Sequence, residues 1–181
     1  MAGARDYVWS ETLRNGLSVT IRPLRPDDRD RVAAAVRELG RESIYTRLFS
    51  HRSELTETGL DRIMSVDAAS EAALVVTRGA GSDETVIGSG RFIGTTGAGA
   101  ARAAEIAFVV EEDYQGLGIA GRLLRHLAEI ARDKGVAEFE ADVLADNGSM
   151  LAVFARSGLP MRKRRDGGVV HVTLSLRANR A

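Results

Sequence analysis

The nine residues Tyr114-Gln115-Gly116-Leu117-Gly118-Ile119-Ala120-Gly121-Arg122 connect a strand-like run to a helix-like run. The preceding run, Glu105-Ile106-Ala107-Phe108-Val109-Val110, is apolar after its first residue. The residues that follow put apolar side chains on one stripe of a helix, namely Ile119, Leu123, Leu124, Leu127 and Ile130. A strand, a glycine-rich turn and a helix in this order indicate a site for a phosphate group.

The glycine-rich turn suits an anion for two physical reasons. Glycine lets the main chain turn tightly and come close to a ligand. The first N–H groups of a helix have no partner within the helix, and the helix dipole favours negative charge there. Arg122 falls in the first helical turn, where the dipole disfavours a cation, so we expect its side chain to contact an anion.

The same turn fits two known phosphate-binding patterns. Residues 116–121 satisfy G-x-G-x-x-G, the dinucleotide-binding fingerprint, and Glu140 and Asp142 follow at a tolerable distance for the acid that binds the ribose. The turn also reads Gln115-x-x-Gly118-x-Ala120, which resembles the (Q/R)-x-x-G-x-(G/A) pyrophosphate loop of the GNAT N-acetyltransferases. The order of elements along the rest of the chain has to distinguish the two.

Composition excludes several classes of protein. The 181 residues predict a single domain, and 25 basic residues balance 25 acidic ones, so we expect neither a nucleic-acid nor a membrane partner. The chain has no cysteine, and its three histidines, His51, His126 and His171, are too far apart in sequence to predict a metal site. No apolar run approaches the ~18–20 residues of a membrane span, and the N-terminus lacks the apolar region of a signal peptide. We therefore expect a cytoplasmic protein.

The first two thirds of the chain read as a hairpin, three helices and three strands. Residues 7–13 and 17–24 flank Asn15-Gly16, which predicts a type I′ hairpin turn. A helix capped by Asp27 or Asp28 follows and ends at Gly40, and further helices are predicted over residues 43–49 and 56–64. Strands are predicted over residues 71–77, 85–93 and 102–111, with a flexible loop at 94–99, and their short connections favour antiparallel pairing.

The remainder of the chain adds one parallel strand and a terminal hairpin. Residues 138–144 read as a strand joined to 102–111 through a helix, so these two strands should be parallel. A helix over 147–157 and strands over 160–165 and 169–176 complete the chain. The basic run Arg162-Lys163-Arg164-Arg165 is interpreted as a solvated arm of this hairpin, with an anionic partner as the alternative.

This order excludes a dinucleotide-binding fold and resembles the GNAT fold over nearly the whole chain. Four or five strands precede the glycine-rich turn, and about sixty residues follow it, too few for the rest of a doubly wound sheet. The predicted class is α/β (α+β), a mixed and mostly antiparallel central sheet with one parallel strand pair at the cofactor site, flanked by helices. The ending Phe154-x-x-x-Gly158-Leu159 is similar to the Y-x-x-x-G-F of the family.

Within that family the chain is most similar to the catalytic domain of bacterial protein-lysine acetyltransferases. The resemblance rests on residues 15–24, on Tyr45-Thr46-Arg47-Leu48-Phe49 and on Ala104-Glu105-Ile106-Ala107-Phe108. We expect residues 1–181 to form one catalytic domain, with residues 1–16 as an N-terminal strand and hairpin turn, and without a fused regulatory domain. A homodimer is left open.

The resemblance implies transfer of an acetyl group from acetyl-CoA to an amine. It implies that main-chain groups of Phe108, Val109 and Val110 meet the pantetheine arm and the acyl carbonyl, and that Asn147 also touches the pantetheine. It assigns the pyrophosphate to the loop residues Gln115, Gly116, Leu117, Gly118, Ile119, Ala120, Gly121 and Arg122. Phe154 stands where many relatives have a tyrosine that protonates the leaving thiolate. The acceptor is expected to be a protein lysine, with a small amine as the alternative. A different class of protein, a coenzyme A-binding module without catalysis, is the third hypothesis.

Glu105 is the predicted general base. Strand alternation puts Ala103, Glu105, Ala107 and Val109 on one face, and a central strand is covered on both faces, so we expect Glu105 to have apolar neighbours and a raised pKa. A glutamate in ordinary solvent fits the pattern equally well. The resemblance favours the base, because protein-lysine acetyltransferases carry their catalytic glutamate in the matching segment. Glu111, Glu112 and Asp113 are less suited, since they adjoin the phosphate loop.

Overall fold

The protein is represented by a computed structural model whose described residues are 7–38, 57–95 and 102–177. The strands are β1 (Trp9–Thr12), β2 (Ser18–Pro23), β3 (Glu71–Arg78), β4 (Thr85–Thr95), β5 (Arg102–Val110), β6 (Val136–Leu144), β7 (Met161–Asp166) and β8 (Val169–Ser175). The α-helices are α1 (Arg29–Glu38), α2 (Glu57–Met64), α3 (Ile119–Asp133) and α4 (Gly148–Ala155). The helix predicted over 43–49, the predicted end of α1 at Gly40 and most of the predicted loop 94–99 lie outside the described residues.

The strands form one open sheet in the order β1-β2-β3-β4-β5-β6-β8-β7. All neighbouring strands are antiparallel except β5 and β6, which are parallel. Helix α3 connects this parallel pair, because two parallel strands cannot be joined by a tight turn. The predicted mixed sheet with a single parallel pair is therefore confirmed.

The β1–β2 hairpin is confirmed, but the predicted turn type is wrong. Gly16 has a φ of +85°, whereas Asn15 has no positive φ, and a type I′ turn needs both. Instead the Gly16 N–H donates to the Leu13 carbonyl at 3.0 Å, and the Leu13 N–H donates to the Leu17 carbonyl at 2.8 Å. The Asn15 side chain accepts a hydrogen bond from the Leu17 N–H at 3.1 Å, which holds this longer loop in place.

Helix α3 packs along one face of the sheet, and its predicted apolar stripe is confirmed. The stripe residues Ile119, Leu123, Leu124, Leu127 and Ile130 are all buried. Two glycines of β4 let the helix lie close to the sheet. A Cβ on Gly88 would come within 3.1 Å of the Ile119 side chain, and a Cβ on Gly90 would come within 3.0 Å of Leu127. The sequence Gly88-Ser89-Gly90 therefore fixes the approach of α3, a signal that the sequence analysis missed.

Helices α1 and α2 form a second, smaller cluster around Val32, Ala33 and Leu60. Arg91 of β4 attaches α2 to the sheet, because its guanidinium donates to the carbonyls of Arg62 and Ile63 at 3.2 Å each. Since Arg91 pairs with Ala107 across the β4–β5 ladder, both side chains lie on the face that carries Glu105. Helix α2 thus ends over that face.

A buried ion pair ties α1 to the sheet. Arg22 of β2 donates two hydrogen bonds of 2.7 Å to the carboxylate of Asp28, which precedes α1, and a further one of 3.0 Å to Glu84. The predicted capping role of Asp28 is present in modified form. Its carboxylate accepts the Arg25 N–H at 2.8 Å, within a short 3-10 turn over Pro26–Asp28. Paired charges of this kind are the usual form in which charged residues become buried.

Candidate active site

The parallel strands β5 and β6 separate in the middle of the sheet. Their registered pairs run from Arg102 with Val136 to Glu105 with Glu140, and no later pair joins them in the described residues. Strand β5 continues to Val110, still paired to β4, while β6 continues to Leu144, paired to β8. The result is a wedge-shaped opening whose vertex is the Glu105–Glu140 pair. An extended ligand can enter such an opening and bond to the exposed strand edge.

The C-terminal end of β5 leads into the glycine-rich loop. Gly116 and Gly118 have φ values of +77° and +89°, which side chains other than glycine rarely adopt. Helix α3 begins at Ile119, and its first internal bond runs from the Arg122 N–H to the Gly118 carbonyl at 3.2 Å. The Gln115 side chain donates to the Val110 carbonyl at 3.2 Å and so fixes the loop to the end of β5.

The loop fits the pyrophosphate that the sequence predicts. A Cβ added at Gly116 or at Gly121 would meet nothing within 4 Å, so open space lies beside both residues. The N–H groups of residues 119–121 precede the first internal bond of the helix and are therefore donors for an anion. Ile119 and Ala120 are buried and Leu117 is partly buried against the core, so their contribution to such a site is through the main chain.

The side chain of Arg122 contacts an anionic group of the protein itself, the carboxylate of Glu11. Its Nε lies 2.7 Å from a carboxylate oxygen of Glu11, and its Nη2 donates to the Thr12 carbonyl at 2.9 Å. Its Nη1 lies within 3.4 Å of the Leu117 carbonyl and 3.3 Å of the Gly118 carbonyl. The guanidinium therefore joins β1 to the glycine-rich loop. Its role toward a ligand stays a prediction.

Glu105 stands at the vertex of the opening and is half-buried. Burial raises the pKa of its carboxyl, and the negative charges of Asp142 and Glu140 raise the pKa further. The expectation of a raised pKa is thus met, but the expected apolar surroundings are only partly correct. On its own strand the same face carries Ala103 and Ala107, whereas the neighbouring strand β6 presents carboxylates.

Glu111 also has a raised carboxyl pKa, owing to burial and then to the charges of Asp113 and Glu38. The pKa therefore does not distinguish Glu111 from Glu105, so the two carboxyls are distinguished by their positions in the fold. Glu111 follows the last residue of β5, about 20 Å along the strand from Glu105, beside the glycine-rich loop. Glu105, by contrast, lies at the vertex of the opening, where it pairs with Glu140.

Helix α4 follows β6 and carries the two other residues that the sequence analysis singled out. The Asn147 side-chain oxygen accepts the Met150 N–H at 3.2 Å and caps the helix, which leaves its amide NH₂ for a ligand. Phe154 is 1% exposed, with its ring centroid 6.2 Å from that of Phe108 on β5. The proposed contacts of Asn147 with pantetheine, and the correspondence of Phe154 with a catalytic tyrosine, stay predictions.

A polar network beneath β1 escaped the sequence analysis. His126 of α3 is 3% exposed, and its two ring nitrogens lie 2.7 Å from the Tyr7 hydroxyl and from a Glu11 carboxylate oxygen. Glu11 also pairs with Arg122 and Arg125. No local pattern could have revealed this network, because its members lie more than a hundred positions apart in the sequence.

The fold, the opening and the loop agree with the comparison to known proteins. The model of the acetyltransferase (GNAT) family matches residues 40–159, and the chain belongs to this family. It is therefore an acetyltransferase, and acetyltransferases of this family take the acetyl group from acetyl-CoA. In the ranges that the structure describes, no three His, Asp or Glu side chains are grouped as a metal site. No helix in those ranges has the length and apolar character to cross a membrane.

Individual relatives are similar over most of this chain. Acetyltransferase PA5475 of Pseudomonas aeruginosa is 30% identical over 142 residues, which cover 78% of this chain and 75% of that protein. Acetyltransferase Pat of Mycolicibacterium smegmatis is 37% identical over 158 residues, which cover 87% of this chain and 46% of Pat. The chain thus spans about half the length of Pat. The crystal structure of the GNAT domain of S. lividans PAT matches with a TM-score of 0.81 at 29% identity, over 93% of this chain and 96% of that one.

Proposed function

We propose that this acetyltransferase transfers the acetyl group of acetyl-CoA to the side-chain amine of a protein lysine, with Glu105 as the general base. The observation that carries the proposal is the position of Glu105 at the vertex of the β5–β6 opening, half-buried and with a raised pKa. The sequence resemblance to protein-lysine acetyltransferases and the similarity to Pat support the choice of acceptor.

The chemistry requires a base because the acceptor amine is protonated at neutral pH. A lysine ammonium has a pKa of ~10.4, and only the neutral amine has the lone pair that attacks a carbonyl carbon. A carboxylate with a raised pKa binds the proton more firmly than an ordinary glutamate does, which suits a base that must take the proton from an ammonium group. Glu105 first accepts the ammonium proton. The neutral amine then attacks the carbonyl carbon of acetyl-CoA, the C–S bond breaks as the N–C bond is completed, and coenzyme A leaves as a thiolate that takes up the proton lost by the acylated nitrogen.

Other residues of the site bind and orient the acyl donor in this proposal. The N–H groups of residues 116–121 hold the pyrophosphate, and the Asn147 amide contacts the pantetheine. Main-chain groups of Phe108, Val109 and Val110 line the strand edge, where an N–H donor stabilises the negative charge that develops on the acyl oxygen. Because Glu105 removes the proton and other residues bind acetyl-CoA, we expect the loss of Glu105 to lower turnover and to leave the affinity for acetyl-CoA unchanged.

Substitution of Glu105 by glutamine tests the base. Glu105→Gln keeps the size of the side chain but cannot accept the proton, so we expect kcat to fall by ~10²–10⁴-fold with acetyl-CoA affinity unchanged by calorimetry. Glu111→Gln is the matched control, since it neutralises the other carboxyl with a raised pKa, and it should keep near-normal turnover. Normal turnover by Glu105→Gln at neutral pH would remove Glu105 from the mechanism.

The acceptor is tested separately from the base. Purified protein is incubated with acetyl-CoA and either a panel of small amines or a cell lysate, and both free thiol and acetyl-lysine are measured. Acetyl-lysine on lysate proteins with little turnover of small amines is the expected result. Turnover of small amines alone would identify a small-molecule acetyltransferase, and binding of acetyl-CoA without any acetylated product would identify a non-catalytic module.

A further inference from the structure

A charged cleft continues from Glu105 across the last three strands of the sheet. Its volume is about 420 Å³, and it lies over β6, β8 and β7. Residues on one face follow one another across these strands in two rows. The first row runs from Glu105 through Glu140 and Thr173 to Arg162, and the second from Asp142 through His171 to Arg164. We call this surface, defined by Glu140, Asp142, His171, Thr173, Arg162 and Arg164, the charged cleft.

The end of the charged cleft next to Glu105 is acidic. Glu140 is exposed and pairs with Glu105 across the β5–β6 ladder, so the two side chains are on the same face. In the part of the chain that the structure describes, the Glu140 carboxylate has no hydrogen bond or ion pair. A free carboxylate beside the base attracts an ammonium group to the position where its proton is removed.

The far end of the charged cleft is basic, and one arginine there is available to a ligand. Arg162 donates to Glu138 at 3.1 Å, and His171 is hydrogen-bonded to Asp142, so these two side chains have partners. Arg164 stands opposite His171 on the edge strand β7, is exposed, and forms no ion pair with any described residue. An arginine in this state is suited to a carboxylate or another planar anion.

The distance between the two ends selects among acceptors. Three strand spacings separate β5 from β7, which amounts to about 14 Å. A free amino acid is too short to place its amine at Glu105 and its own carboxylate near Arg164. An extended peptide advances about 3.3–3.6 Å per residue, so an acidic side chain within about four residues of a lysine covers this distance.

We propose that the charged cleft binds the acceptor polypeptide and selects lysines that have an aspartate or glutamate within about four residues. Glu140 receives the lysine ammonium beside Glu105, and Arg164 binds the acidic side chain of the same segment. Within the basic run on β7, Arg164 is in this account the residue that recognises an anionic group, which corresponds to the anionic partner given above as the alternative to a solvated hairpin arm. The proposal rests on the proposed lysine acetyltransferase function.

The test compares two synthetic peptides that are identical except at two positions, which are acidic in one peptide and cationic in the other. Each peptide contains one lysine that can be acetylated. In one peptide glutamates occupy the positions three and four residues away from it. In the other these positions hold trimethyl-lysines, which carry a positive charge and cannot be acetylated. We expect kcat/KM to be about 3–5-fold higher for the acidic peptide, which is the size of a partly exposed charge interaction. This preference should shrink in about 1 M salt, where the screening length is ~3 Å.

Charge reversal locates the preference. Arg164→Glu should abolish or invert the ratio of kcat/KM between the two peptides. Arg165→Glu is the matched control, because it makes the same change of charge one residue along β7, where the side chain is on the other face and outside the cleft. The control should keep the wild-type ratio.

The outcomes separate this inference from the function on which it rests. Equal acetylation of both peptides, or an equal effect of the two reversals, overturns the charged cleft as the recognition site and leaves lysine acetylation intact. Failure to acetylate either peptide, together with turnover of small amines, overturns both proposals. A preference that is lost in Arg164→Glu and kept in Arg165→Glu supports the cleft.

Discussion

At the scale of single residues, the glycines of the glycine-rich loop are needed for different reasons. Gly118 has a φ of +89°, and a Cβ there would lie 2.6 Å from Nη1 of Arg122. Gly121 is inside α3 and has no such conformational need, but the absence of its side chain leaves open space beside the helix start. Gly118 therefore shapes the loop, whereas Gly121 leaves room for a ligand.

Gly118→Val should lose most of its affinity for acetyl-CoA, because the branched side chain opposes the positive φ and displaces Arg122. Calorimetric titration with acetyl-CoA measures the loss. Gly135→Val is the matched control, since Gly135 has a φ of +75° just after the same helix, and a Cβ there would meet nothing within 4 Å. Both variants suffer backbone strain, so equal affinity in the two would show that the loop does not bind the pyrophosphate.

The raised pKa of Glu105 predicts the acidic side of the pH–rate profile. The carboxylate must be ionised to act as a base, so kcat/KM should fall as pH decreases through the pKa of this group, which lies above its ordinary value of 4.5. Steady-state rates measured across acidic and neutral pH give the inflection. In Glu105→Gln this limb should disappear, and the residual rate should rise with pH as more of the amine is neutral.

At the scale of elements, strand β1 and the start of helix α3 act as one unit. Glu11 of β1 pairs with Arg122, Arg125 and His126 of α3, and Arg122 in turn reaches the carbonyls of the glycine-rich loop. Burial alone would raise the pKa of Glu11, but its hydrogen bond to His126 and the nearby arginines outweigh that effect and lower the pKa. We infer that β1 holds the loop in position through Glu11 and Arg122.

Glu11→Gln should raise the KM for acetyl-CoA about tenfold with kcat little changed, because a charge-assisted hydrogen bond contributes about 1.5–3 kcal/mol. Glu129→Gln is the matched control, since Glu129 belongs to the same contact between the N-terminal segment and α3 but bonds only to the Tyr7 hydroxyl in the described residues. The emission of Trp9, the single tryptophan, reports on β1 in both variants. An unchanged KM in folded Glu11→Gln would contradict the positioning role.

At the scale of the whole molecule, the buried pair of Arg22 and Asp28 joins strand β2 of the sheet to α1. Asp28 is fully buried, and burial by itself raises the pKa of its carboxyl. The hydrogen bonds from Arg22 and from the Arg25 N–H outweigh this effect, so the pKa is lowered overall. A carboxyl with a lowered pKa stabilises the folded state above its ordinary value of 3.8, and this contribution is lost as pH falls through the folded-state pKa.

Asp28→Asn should cost about 3 kcal/mol of unfolding free energy at neutral pH, because it leaves the buried Arg22 with only Glu84 as a charged partner. Urea denaturation measures the change. Asp27→Asn removes the same charge from the exposed neighbouring residue and should cost less than about 0.5 kcal/mol. Equal losses in the two variants would show that the effect comes from net charge rather than from the buried pair.

Local patterns were sufficient to predict most of the elements and the order of the fold. Three features could be predicted: the alternation in β5, the apolar stripe of α3 and the loop between them. Each depends on residues that are close to one another in the sequence. The predicted type of the turn at Asn15-Gly16 was wrong because the same dipeptide suits two kinds of loop. The hydrogen bonds of the Asn15 side chain and of the strand ends select between them.

The sequence by itself therefore determined the family, the glycine-rich loop between β5 and α3, and the strand that carries Glu105. Only the tertiary structure decided what surrounds these residues. The carboxylates beside Glu105, the pairing of Arg122 with Glu11 and the face shared by Glu140 and Arg164 depend on strand order and register. These contacts join residues far apart in the chain, and a shift of one residue in register would turn each side chain to the opposite face of the sheet.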